Sequence, residues 1–157
     1  MGLTAPFGNT VEVIRWHHCY CPVAPSPSTG CCRDLRQMKI TAIDHVQLAM
    51  PAGGEDRARA FYADLLELKE KPKPPELAVR GGAWFENDLV KIHLGIESDF
   101  RSARKAHPAL LVRDLQTLIE RLRAAGFEVL DHELAQYHRV YVSDPFNNRI
   151  ELIAEGT

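Results

Sequence analysis

His45, His93, His107 and Glu151 are the residues of this chain whose types and spacing point most directly to chemistry. Imidazole nitrogen and carboxylate oxygen are the donors that borderline divalent metals take. The four fall into two pairs at nearly one spacing: 62 residues separate His45 from His107, and 58 separate His93 from Glu151. Two similar halves, each giving two ligands, would build one metal site. A lone histidine in a strand is more often hydrogen-bonded or exposed than a ligand, and Glu151 alone would pass for a solvent-facing carboxylate. The matched placement of all four raises the metal reading above those separate explanations, and it points to a metal-dependent enzyme acting on a small molecule.

The elements that must position these side chains are readable from periodicity. "KITAIDHVQLAM" opens as a strand in which Ile43, His45 and Gln47 share a face, because strand side chains alternate with period two. Pro51 and the Gly53-Gly54 pair end it. "EDRARAFYADLLEL" follows as a helix, with Glu55 and Asp56 in the first turn, where carboxylates favour the positive end. Ala58, Phe61, Leu65 and Leu68 give its inward stripe. "KPKPPE" breaks the chain, and short strands are expected over Leu77 to Arg80, Ala83 to Glu86 and Val90 to Ile96, with turns at Gly81-Gly82 and Asn87-Asp88.

The second half repeats the order. "HPALLVRD" reads as a strand and Asp114 as the N-cap of a helix striped by Leu115, Leu118, Ile119, Leu122 and Ala125. Gly126 fits the left-handed position that ends a helix. Phe127 to Leu130, Tyr137 to Ser143 and Arg149 to Ala154 read as strands, with "DPFNN" as the last hairpin turn. The chain therefore carries an internal repeat of two βαβββ units, about 39–98 and 106–154, inside a domain over 38–157.

Residues 1–37 read differently. Pro22, Pro25, Pro27, Ser26, Ser28 and Gly30 make a breaker-rich stretch without period, and a disordered or loosely packed extension is expected, with Met38 as the natural start. All four cysteines, Cys19, Cys21, Cys31 and Cys32, lie there with His17 and His18, but their spacing is not that of a zinc ribbon. A folded part without cysteine suits a reducing cytoplasm. Charged residues at 25% and a net charge of −2 are ordinary for a globular protein and give no basic field for nucleic acid. No apolar run approaches the roughly 20 residues that cross a bilayer. Neither nucleic acid nor membrane is an expected partner.

Residues 39–154 resemble the vicinal oxygen chelate superfamily, which includes glyoxalase I, extradiol dioxygenases, fosfomycin-resistance proteins and bleomycin-binding proteins. The segments that carry the resemblance are "IDHVQL", "AFYADLLEL", "VKIHLG", "HPALLVRDL" and "YVSDPFNNRIELI", in the family order. The resemblance implies an α+β fold in which two βαβββ units form a half-open mixed β-barrel around a metal cleft, with helices outside. It implies metal ligation at His45, His93, His107 and Glu151, with a divalent Ni, Zn, Co, Fe or Mn ion, and a homodimer that in some members completes each cleft from two chains. It also implies chelation of vicinal substrate oxygens and stabilisation of an oxyanion.

Glu151, the one carboxylate of the set, is the candidate base. Gln47, Tyr62, Trp84, Arg139 and Tyr141 are weaker candidates for substrate contact, and Arg139 or Arg149 is a candidate for an anionic group. With His93 as a ligand the site suits Lewis-acid lyase or isomerase chemistry of the glyoxalase type. Without it, two histidines and one carboxylate suit Fe(II) and an extradiol-type dioxygenase. A bleomycin-type binding protein without catalysis is the third reading. Two departures stand out. Ala49 replaces an arginine common in glutathione-using glyoxalases, which argues against glutathione, and Glu67 replaces a glycine that commonly ends the first helix.

Overall fold

A computed structural model describes residues 40–131 and 138–156. The N-terminal extension expected over 1–37 lies outside the described residues. The first unit runs β1 (Val46–Met50), α1 (Glu55–Ala58, continued by a π-helical stretch Arg59–Leu65), β2 (Lys69–Lys71), α2 (Pro75–Ala78), β3 (Ala83–Glu86) and β4 (Lys91–Ile96). The second runs β5 (Ala109–Val112), α3 (Leu115–Ala124), β6 (Val129–Asp131), β7 (Arg139–Ser143) and β8 (Arg149–Ala154). Each unit makes one four-stranded sheet, in the orders β1-β4-β3-β2 and β5-β8-β7-β6. The first strand of each pairs parallel with the last, and the other pairings are antiparallel. The expected α+β architecture of two repeated units holds, with two mixed sheets that do not close on each other.

The core is the apolar face of these sheets against the helices. Phe61, Tyr62, Phe85, Met50, Ile119 and Leu122 are among its fully or almost fully buried side chains. Asp114 caps α3 as expected, its carboxylate accepting from the Thr117 backbone N–H at 3.1 Å. Gly126, at φ +85°, ends that helix in the left-handed conformation.

The first helix differs from the expectation of a regular helix through Leu68. Beyond Ala58 its turns widen: Leu66 N–H donates to Phe61 O and Leu68 N–H to Tyr62 O, both at 3.0 Å. Glu67, standing in place of the helix-ending glycine, takes φ +58° and accepts the left-handed turn that a glycine would adopt without strain. Its carboxylate pairs with Arg121 of α3.

Two further expectations need correction. Leu77 to Arg80 is no strand; Pro75 stands in the first turn of the short helix α2, where its fixed φ is favourable. The edge strand is instead Lys69–Lys71, which runs into the breaker segment, with all three side chains exposed. An exposed lysine-rich edge strand avoids pairing with other chains. The turn "DPFNN" is also more than a hairpin. Asp144 and Asn148 are buried, and they tie the second unit to Tyr62 and to the Ala49 carbonyl of the first.

Candidate metal centre

The register places the candidate residues at equivalent points of the two units. In the first sheet Gln47 lies opposite His93, and His93 lies opposite Trp84. In the second Ala109 lies opposite Glu151, and Glu151 lies opposite Tyr141. His45 and His107 each precede the first strand of their unit, two residues ahead of Gln47 and Ala109. Period-two alternation projects each histidine along the same column as its unit's central polar residue. The polar residues of that column are not solvent-facing: His93 and Glu151 are each only 6% exposed, and the apolar neighbours Ile92, Leu94, Ile150 and Leu152 are buried on the other face.

The second unit holds the tighter cluster. His107 Nε2 lies 3.0 Å from Glu151 Oε2. His107 Nδ1 meets the Lys105 backbone carbonyl at 2.7 Å, so it must carry its proton there and donate. A neutral ring would then present the Nε2 lone pair to a carboxylate lone pair. Those two atoms require a proton, on the ring or on the carboxyl, or a metal ion between them. A ligating histidine that donates its other N–H to a carbonyl is the arrangement that fixes a metal-binding tautomer. The donor set and its orientation therefore fit a divalent metal at His107 and Glu151. The other carboxylate oxygen, Oε1, accepts from Arg139 Nη1 at 2.8 Å. The ring of Tyr141 stands edge-on to His107, centroids 5.4 Å apart, and the guanidinium groups of Arg139 and Arg149 lie 5.8 and 5.2 Å from the Tyr141 centroid.

The first unit holds a stack. His93 lies between His45, at 4.3 Å between centroids, and Trp84, at 4.2 Å. His93 Nε2 lies 3.1 Å from Glu86 Oε1. His45 is half exposed, and its Nδ1 faces Asp44 at 2.9 Å, which leaves Nε2 as the ring's other donor atom. Hydrogen bonds from Lys91 and His45 hold the Asp44 carboxyl at a pKa of about 2, below the usual carboxylate range.

The two clusters do not merge. Among the described residues no group of three or more His, Cys, Asp or Glu side chains is placed to hold one metal ion. His45 and His107 do line one cavity, of about 610 Å³, between β1 and β5, together with Gln47, Lys91 and Asn148. Tyr62, a pocket candidate by sequence, belongs to the core: it is fully buried, stacks on Phe85 at 5.3 Å, and donates its hydroxyl to Asp144 Oδ2 at 2.8 Å. Burial first and the Asp144 charge second push its phenol well above the ordinary tyrosine range. Sequence reasoning missed Glu86 and Asp44, which orient the two histidines of the first unit. The only signal for them was their carboxylate type beside strand residues.

Two units with equivalent polar columns and a histidine ahead of each first strand define a vicinal oxygen chelate domain. Residues 47–153 match the family model described as a glyoxalase-like domain, and the chain belongs to that family. It is similar to a solved protein of Bacillus anthracis assigned to the glyoxalase family: 45% identity over 75% of this chain and 98% of that one, TM-score 0.71. The fold is shared with the fosfomycin resistance protein FosX of Listeria monocytogenes, at 19% identity, 76% and 96% coverage and TM-score 0.62. It is shared also with a mutant of that protein complexed with Mn(II) and 1S,2S-dihydroxypropylphosphonic acid, at 18% identity, 74% and 93% coverage and TM-score 0.63. No curated protein matches the chain. No described helix is long and apolar enough to cross a membrane.

Proposed function

We propose that this chain is a metal-dependent lyase or isomerase of the glyoxalase-like type, acting on a small oxygenated metabolite through His45, His93, His107 and Glu151. The observation that carries the reading is the 3.0 Å approach of His107 Nε2 to Glu151 Oε2, with Nδ1 committed to the Lys105 carbonyl. These residues would hold a divalent ion, which would supply Lewis-acid polarisation of a substrate oxygen and stabilisation of the oxyanion left by proton loss. Glu151, the one carboxylate of the set, is the candidate to accept that proton. Arg139 donates to its Oε1 at 2.8 Å and so holds the carboxylate in place.

The remaining ligands, His45 and the His93 stacked on it, are proposed to come from a second copy of the chain in a homodimer. This accounts for two half-sites that do not meet among the described residues of one chain. It also accounts for the exposure of Ile43 and Leu89, 81% and 95%, on the cavity that carries His45.

A second reading is favoured by one contact. Glu86 occupies His93 Nε2, which would leave two histidines and one carboxylate, a set that suits Fe(II) and oxygen chemistry. Elemental analysis of the purified protein beside His93→Ala and Glu151→Gln tests both readings. Near-stoichiometric Ni, Zn or Co in wild type, weakened by both substitutions, supports the four-ligand Lewis-acid site. Iron or manganese retained in His93→Ala but lost in Glu151→Gln, with oxygen uptake on a catechol, supports the dioxygenase. Metal content unaffected by Glu151→Gln overturns both.

A further inference from the structure

We propose that Arg139 and Arg149 form an oxyanion subsite around Tyr141, so that the substrate is a small acid carrying a carboxylate or a phosphoryl-type group beside its vicinal oxygens. The vicinal-oxygen part of this statement rests on the metal-site reading above; the anion part rests on the arginines alone.

The register shows why the two arginines act together. Tyr141 and Glu151 form the middle row of the β7–β8 ladder; Arg139 lies one row to one side, opposite Ile153, and Arg149 one row to the other, opposite Ser143. Residues 139, 141, 149 and 151 all project from one face by period two. The two guanidinium groups therefore flank one aromatic ring, 5.8 and 5.2 Å from its centroid, beside the His107–Glu151 pair.

Both cations stand on the face that carries Glu151, and Glu128 lines one cavity with Arg149 and Tyr141. Arg139 has a side chain only 22% exposed. Its Nη1 is used by Glu151, but its buried Nε has no acceptor among the described residues. A buried N–H without a partner is costly and calls for an explanation. An anionic oxygen would satisfy it once the guanidinium turns toward the face, and guanidinium forks are the groups best shaped to take a carboxylate or phosphate. A solvated strand arginine, the bland account of Arg139, does not agree with this burial.

The test is calorimetric titration of the full-length protein, metal-free and again with Mn²⁺, using inorganic phosphate, glycolate and the neutral diol ethylene glycol as probes. The variants are Arg149→Gln and Arg139→Gln. Because Arg139→Gln strips a buried carboxylate of its partner, Arg139→Lys is run beside it to keep the charge. Wild type is expected to bind at least one of the two anions, and Arg149→Gln and Arg139→Gln each to weaken that binding roughly tenfold or more, as loss of a charge-assisted hydrogen bond does. Binding of ethylene glycol should not respond to Arg149→Gln. A preference for phosphate assigns a phosphoryl-type substrate, and a preference for glycolate a carboxylate. Absence of anion binding, or equal binding by wild type, Arg149→Gln and Arg139→Gln, overturns the proposal. If Mn²⁺ itself fails to bind, the metal reading falls, and the metal-free titrations still decide the arginine pair.

Discussion

The hydroxyl of Tyr62 donates to Asp144 Oδ2 at 2.8 Å, across 82 residues of sequence. This bond joins the first helix to the turn between β7 and β8, so it ties together two units that share no strand pairing. Asn148 completes the junction. Its side-chain amide donates to the Ala49 carbonyl and to Asp144 Oδ2, both at 2.9 Å, and its Oδ1 accepts from Ala103 N–H, also at 2.9 Å. Asp144 Oδ1 takes the backbone N–H groups of Phe146 and Asn148 at 2.8 Å.

Removing these groups should cost stability in proportion to the partners left behind. Tyr62→Phe strips one buried bond and is expected to cost about 1–2 kcal/mol. Asn148→Ala leaves the Ala49 carbonyl and the Ala103 N–H unpaired and opens space at a fully buried position; about 3 kcal/mol or more is expected. Urea unfolding checks both, and a cost at Asn148 no larger than at Tyr62 would refute the junction.

Two glycines separate backbone strain from steric conflict. Gly126 has φ +85° and nothing within 4 Å of the point where a Cβ would stand, so Gly126→Ala should lose only the left-handed preference, about 1 kcal/mol. Gly82 has φ +82° and would bring a Cβ to 2.2 Å from the Leu94 carbonyl oxygen, a backbone atom that cannot swing aside. Gly82→Ala is expected to cost at least about 3 kcal/mol, because the β3–β4 pairing must shift. Thermal melts of the two variants at equal concentration rank them.

What the sequence made legible follows from what periodicity can encode. β3 and β8 fall where alternation places them, and α3 carries the expected cap and terminal glycine, because each of these signals is local. The matching of His45 with His107 was legible because a duplicated unit repeats its offsets. α2 and β2 escape a reading by pattern because "KPKPPE" contains prolines that both break a strand and start a helix, and only the surrounding sheet decides which. Asp144 and Asn148 look like turn formers, since composition does not reveal burial. The pairing of His93 with Glu86 needs the antiparallel β3–β4 register, which no spacing in the chain discloses.

Two groups make the stability of the domain depend on pH in opposite directions. Glu55 accepts the Gly82 backbone N–H at 3.0 Å, and this bond above all lowers its pKa from the usual 4.5. A carboxyl lowered in the fold contributes stability that is fully present above about 4.5 and is lost as pH falls through the folded value. Glu55→Gln should therefore be less stable than wild type at pH 7, with the gap shrinking by pH 3. Tyr62, raised by burial, acts at the other end. Above about pH 10 the unfolded chain releases this proton and the folded one keeps it, so stability falls as pH rises, and Tyr62→Phe should flatten that alkaline limb. Denaturant midpoints at pH 3, 7 and 10.5 give both slopes.

The shared cleft leads to a prediction that no single variant makes. If His45 of one chain joins His107 and Glu151 of another, His45→Ala and Glu151→Gln should each lose metal when pure. A heterodimer of the two carries one cleft with both substitutions and one with neither. Mixing the variants under conditions that exchange subunits should therefore restore metal binding, up to about one ion for each mixed dimer, as mass action in an obligate pair allows. A cleft built within one chain would stay broken in every combination. Elemental analysis after exchange and gel filtration reads the result: recovered metal supports a cleft completed by the partner, and continued absence places all the ligands in one chain.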